Sequence, residues 1–197
     1  MSGATDRLEP FEGRSCHFER GHRNEVAIVL SCPGSREAKG NRPAAGATGD
    51  NLNSLLGKLG LVRKDITVTN AFTRVEYKGK GGTGRSEARF GEILQGGNIK
   101  RLNSELADIT DLVIFCGARA EAASKLVVLR PGTKVACIPH LGMQGINQIA
   151  CDIDGKPILS VTESKAAGDT RSAKEIGADN TSRRLDKLVL LVLQQIK

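Results

Sequence analysis

An apolar run, Val26–Leu30, breaks directly into Ser31-Cys32-Pro33-Gly34, and an amphipathic helical pattern begins only from about Asp50. Between the two, Pro33, Pro43, Gly34, Gly46 and Gly49 punctuate the chain. No single regular element can run through such a stretch. A buried strand, a glycine- and proline-rich loop and a helix, in that order, open a βαβ unit. In open α/β sheets, the loop at the carboxyl end of a strand is where ligands bind. This one segment therefore constrains both the fold and the place where chemistry should be sought.

The rest of the chain extends the same alternation. Apolar runs with strand character recur at 66–70, 112–116 and 135–138, and helical patterns separate them at 52–59, 99–106 and 118–129. Strands alternating with helices predict a parallel sheet covered on both faces. The expected fold is α/β, a three-layer α/β/α arrangement around a mainly parallel four-stranded sheet. Residues 1–24 are polar and aperiodic and read as an arm or irregular cap; residues 25–197 read as a single domain. Asp154-Gly155 between two short apolar runs suggests a hairpin over 149–159. A terminal helix is expected over 181–196, its stripe formed by Leu185, Leu188, Val189, Val192, Leu193 and Ile196. Residues 163–180 read as a loop with a weak helix.

A chain of 197 residues can bury a substantial core. Aromatics make up only 3% with no tryptophan, so aliphatic side chains must build it. The formal charge of +7 favours a polyanionic partner. Five cysteines, an odd number with no C-x-x-C pair, read as reduced thiols and suggest a cytoplasmic protein. No apolar run approaches the ~20 residues needed to span a bilayer, and no membrane association is expected.

The loop carries the spacing Pro-Gly-x-x-Glu-x-x-x-x-Arg-Pro-x-x-Gly-x-x-Gly, from Pro33 to Gly49. This pattern resembles the first active-site motif of the uracil-DNA glycosylase superfamily, closest to its iron–sulfur branch. There the motif runs Gly-Glu-Ala-Pro-Gly, then Glu-Asp, then Gly-Arg-Pro-Phe-Val-Gly. Pro33, Gly34, Glu37, Arg42, Pro43, Gly46 and Gly49 stand in ungapped register. Three positions depart. Ser31 replaces the branch's first glutamate. Cys32 stands where other branches place a water-positioning asparagine or aspartate. Ala44 replaces the phenylalanine that stacks on the flipped base. The resemblance spans residues 26–147.

A glycosylase must extrude its base, read it, orient water, and stabilise charge as the N-glycosidic bond breaks. The resemblance implies candidates for each task. Ser31, Cys32, Pro33, Gly34 and Ala44 would surround the base. Asn70 ends a β-branched strand and can offer both donor and acceptor to a pyrimidine edge; the bland alternative is a strand terminator. Glu37 is the candidate for water activation. His140 stands where the family's second motif places a histidine that donates to the base oxygen as charge develops. The Pro-Ser that follows in that motif is absent here. Leu141 or Met143 would fill the vacated base stack.

Arg42, Lys78, Lys80 and Arg85 are candidate phosphate contacts; the last three lie in a glycine-rich basic stretch, 77–86. None of the cysteine spacings of the iron–sulfur branch is present, so no metal cluster and no cofactor are expected. The expected activity is a monofunctional DNA glycosylase acting as a monomer, in repair or in defence against phage DNA. Loss of the phenylalanine at Ala44 points to a bulky modified pyrimidine as one substrate. Two alternatives stand beside it. One is a catalytically weak or inactive DNA-binding module of the same fold. The other is a doubly wound domain that binds a nucleotide or small anion through the loop.

Overall fold

The computed structural model describes residues 15–197. It is an α/β protein whose central five-stranded sheet has the order β1-β3-β2-β4-β5. The chain runs through β1 (Phe18–Glu19), β2 (Val26–Leu30), α1 (Ser35–Gly40), α2 (Gly46–Lys58), β3 (Thr67–Asn70), α3 (Phe90–Ile93) and α4 (Gly96–Leu106). It continues through β4 (Leu112–Cys116), α5 (Ala118–Ser124), β5 (Lys134–Ile138), α6 (Met143–Asn147), α7 (Val161–Ala166) and α8 (Ala173–Gln195). Strands β3, β2, β4 and β5 are mutually parallel, with Ile28 paired to Val68 on one side and Ile114 on the other.

The fifth strand departs from expectation. Phe18 and Glu19 pair antiparallel with Thr69 and Val68. Residues 15–24 therefore belong to the fold, while the rest of the expected polar arm, residues 1–14, lies outside the described residues. A two-residue strand leaves no period-2 signature, which is why its pairing is invisible in the sequence.

Strand β2 is buried on both faces, and its alternate residues feed two separate cores. Val26, Ile28 and Leu30 pack with Leu52, Leu55 and Leu56 of α2 and Leu185, Leu188 and Val192 of α8. Ala27 and Val29 pack with Ile99, Leu102 and Leu106 of α4 and Ala120 and Ala123 of α5. The period of two along the strand thus sorts helices to opposite faces and yields the three layers.

The terminal helix starts at Ala173, eight residues before its expected start. Ser172 Oγ accepts the Glu175 amide at 3.2 Å, and the Glu175 carboxylate accepts the Ser172 amide at 2.7 Å. Ser160 and Glu163 make the same reciprocal cap at the start of α7. Both caps follow the S-x-x-E pattern. The expected hairpin reduces to a single bridge between Cys151 and Pro157. Helix α5 ends at Ser124, short of the expected 129.

Candidate functional site

The switch in strand order lies beside β2. The chain leaves β2 toward β3 on one side and later returns to place β4 on the other. Such a switch opens a crevice at the carboxyl ends of the strands. The crevice here is a cavity of about 150 Å³ lined by Leu30, Cys32, Gly34, Glu37, Ala44, Thr48, Asn70, Glu76, Ser86, Glu87 and His140. Segments following β2, β3 and β5 thus meet at one place. A larger hollow of about 480 Å³, bordered by Val26, Leu59, Leu61, Val192 and Ile196, lies at the opposite, amino end of the strands. Its lining includes none of the candidate catalytic, base-binding or phosphate-binding residues.

The loop after β2 is held by its own carboxylate. Glu37 accepts the Gly34 amide at 3.0 Å through one oxygen and the Ala45 amide at 2.9 Å through the other. The residue expected to activate water is thus spent on fixing the loop, a use that two free backbone amides favour strongly. Ala44 is buried, with φ at 51°, a left-handed conformation costly for any residue with a Cβ. Arg63 holds it there: its Nη1 donates to the Ala44 carbonyl at 3.1 Å and its Nη2 to Pro43 at 2.5 Å. Gly49 is equally constrained, because a Cβ there would sit 2.3 Å from the Ala44 carbonyl oxygen.

The Ala44 methyl borders the cavity where the resembled branch has a ring. Phe72 does not replace that ring. It packs with Cys32 against the core on the α4 side. Burial, with the Glu87 and Glu76 carboxylates adding to it, pushes the Cys32 thiol up to about 11, so it is neutral at physiological pH.

Asn70 is buried at the end of β3, its Nδ2 donating to the His17 carbonyl at 3.2 Å. Arg101 donates to its main-chain carbonyl at 3.0 Å. Its Oδ1 makes no hydrogen bond among the described residues, and the residue lines the cavity. No sequence signal marks His17 as a support for Asn70, because the contact spans 53 residues.

His140 sits among glycines. Its Nδ1 accepts the Gly142 amide at 2.9 Å. A neutral ring in that position carries its proton on Nε2, which makes Nε2 a donor. A Cβ on Gly117 would stand 3.0 Å from the His140 Cβ, and one on Gly145 only 2.2 Å from its carbonyl oxygen. Asn51 of α2 braces the same loop by donating to the Leu141 carbonyl at 2.8 Å.

Leu141 cannot be the wedge expected from the sequence. It is fully buried and packs in the core beneath α2 and α8. The loop turns its first apolar residue inward because α2 and α8 leave an aliphatic hollow there. Met143, at the start of α6, is 44% exposed.

The basic candidates divide similarly. Arg85 is held by two acids, Glu76 at 2.5 Å and Glu92 at 2.9 Å, and serves the fold. Arg42 pairs with Glu19 at 3.0 Å and ties the loop to β1. Lys78 and Lys80 are exposed and form no ion pair among the described residues.

Three carboxylates border the cavity, in different states. Glu37 is saturated by backbone amides. Glu76 is buried and neutralised by Arg85 and by Arg74 at 3.2 Å, with Thr83 also donating to it. Glu87 accepts a short hydrogen bond from Ser31 Oγ on one oxygen and meets no cation among the described residues. Its position in the loop after β3 gave no signal in the sequence.

Among the described residues, no group of three His, Cys, Asp or Glu side chains is arranged to hold a metal ion, and no helix is long and apolar enough to cross a membrane. No protein-family model matches the chain, and no curated protein matches its sequence.

Proposed function

We propose that this protein is a DNA glycosylase that hydrolyses the N-glycosidic bond of a pyrimidine base drawn out of DNA. The observation that carries the reading is the meeting of Cys32, Asn70 and His140 at one cavity, from strand ends far apart in sequence. An apolar protein cavity of about 150 Å³ is known to take one benzene ring. The cavity here has a comparable volume but opens to solvent and has a polar lining that includes Asn70, Glu87 and His140, so it has room for one six-membered ring with polar edges. This suits uracil or a lightly substituted pyrimidine, and a bulkier substituent would have to project out through the open side of the cavity.

In this reading Asn70 offers Oδ1 to the base edge, and the loop after β2 supplies close backbone. His140 Nε2–H donates to the base oxygen that gains charge as the bond breaks, a stabilisation of the departing anion. Lys78 and Lys80 supply cations for the phosphate backbone.

A catalytically weak binding module remains the second reading. It is favoured by the neutral Cys32 thiol and by the commitment of Glu37 to the loop. One experiment separates the two. Duplex and single-stranded oligonucleotides carrying uracil, 5-hydroxymethylcytosine or its glucosylated form are incubated with the protein and then treated with alkali. Strand breaks at the modified base support the glycosylase. Retention of the modified duplex without breaks selects the binding module. A thermal shift with nucleotides and none with DNA selects the nucleotide-binding domain.

A further inference from the structure

We propose that Glu87 is the catalytic carboxylate of this site, orienting and deprotonating the attacking water; the assignment rests on the glycosylase reading above. Ser31 occupies the place where the resembled branch carries a glutamate, and its hydroxyl holds the Glu87 carboxylate from 56 residues further along the chain. A carboxylate thereby returns to the cavity from a different segment.

The other two acids do not have the freedom the reaction needs. A water-orienting carboxylate must keep an accepting oxygen free and must stay anionic beside a developing positive charge. Glu37 has each oxygen occupied by a loop amide. Glu76 is sequestered by two arginines and a threonine. Glu87 has one oxygen anchored by Ser31 and the other without a hydrogen bond among the described residues. Its backbone is also fixed. The neighbouring Ala88 is buried, and the Ala88 carbonyl accepts Arg119 Nε at 2.8 Å. Glu87 is half-buried, so solvent water can reach it.

The step balances without any further reagent. The electron pair of the C1′–N bond leaves with the base, whose oxygen takes the hydrogen bond from His140. Water oxygen bonds to C1′ as Glu87 accepts the water proton. The products are an abasic sugar with a C1′ hydroxyl and the free base, which regains a proton from Glu87 or solvent.

The test is single-turnover base release, measured on whichever oligonucleotide of the panel above wild type cleaves fastest. Glu87→Gln keeps an oxygen for the Ser31 hydroxyl but loses the base. Its release rate should fall at least about 100-fold, while oligonucleotide affinity stays within about threefold. The acidic limb of the wild-type pH–rate profile should vanish in the same variant. Release within threefold of wild type, or an unchanged acidic limb, overturns the assignment and leaves the glycosylase reading intact. Should Glu87→Gln fail to fold by circular dichroism, Glu87→Asp replaces it. A rate at least tenfold below wild type then supports the role, and an unchanged rate overturns it. If wild type releases no base from any member of the panel, both the reading and the assignment fall.

Discussion

The His140 ring accepts the amide of Gly142, two residues on, at 2.9 Å, which leaves Nε2 as the donor of the neutral ring. The ring is therefore set in one tautomer by its own loop, and Asn70 borders the same cavity from β3. Replacing His140 with Ala removes the donor, and Asn70→Ala removes the base reader. Each change should lower single-turnover base release by about 100- to 1,000-fold. Affinity for undamaged duplex should stay within about threefold, because phosphate contacts dominate it. Equal losses in release and in duplex binding would argue against both roles.

Gly145 permits the closest approach to this loop, with a built Cβ 2.2 Å from the His140 carbonyl oxygen. Gly145→Ala must push the backbone of residues 140–142 away. Overpacking of this kind costs about 1–3 kcal/mol, measurable by urea unfolding. Base release should fall by a larger factor than stability alone explains, because the His140 ring moves with the backbone. A variant as stable and as active as wild type would show that the loop has room that the geometry denies.

Glu76 links pH to stability. Hydrogen bonds from Arg85, with Thr83 and the charge of Arg74 assisting, hold its carboxyl below the usual range despite burial. A carboxylate whose folded value is depressed stabilises the protein above its unfolded value, about 4.3 for glutamate, and loses that contribution as pH falls through the folded value. Glu76→Gln should therefore unfold at lower denaturant than wild type at pH 7. The gap should narrow progressively below pH ~4. A gap that stays constant from pH 7 to pH 3 would show that the ionic interaction is not its origin.

Lys78 and Lys80 are exposed, and neither forms an ion pair among the described residues. Replacing both with alanine should weaken duplex binding across all sequences. The slope of log affinity against log salt should fall by about 1 for each phosphate that is no longer neutralised. Thermal stability should not change. An unaltered salt slope would remove this segment from the DNA interface.

The pattern of strands and helices was legible because burial on both faces leaves continuous aliphatic runs such as Val26–Leu30 and Leu112–Cys116. The position of the cavity was legible because a stretch rich in glycine and proline directly follows the apolar run Val26–Leu30. The start of α8 was also legible in Ser172 and Glu175 but was obscured by the polar residues that follow. Leu141 shows the opposite case. Its sequence neighbours His140, which lines the cavity, and Gly142 are only half-buried, whereas Leu141 itself packs into the core shared by α2 and α8.

The chain by itself determined the alternation of elements, the break after β2 and the candidates Asn70 and His140, because these depend on local periodicity and on backbone freedom at fixed spacing; that residues 35–40 and 46–49 of the expected loop are helical was decided by the fold. Tertiary structure alone decided which charges are spent and which are free. Glu37, Arg42 and Arg85 found partners that consume them, while Glu87 was brought to Ser31 across 56 residues. Hydrogen bonds and ion pairs between distant segments carry no sequence period, so folding has to bring the partners together before their roles can be told apart.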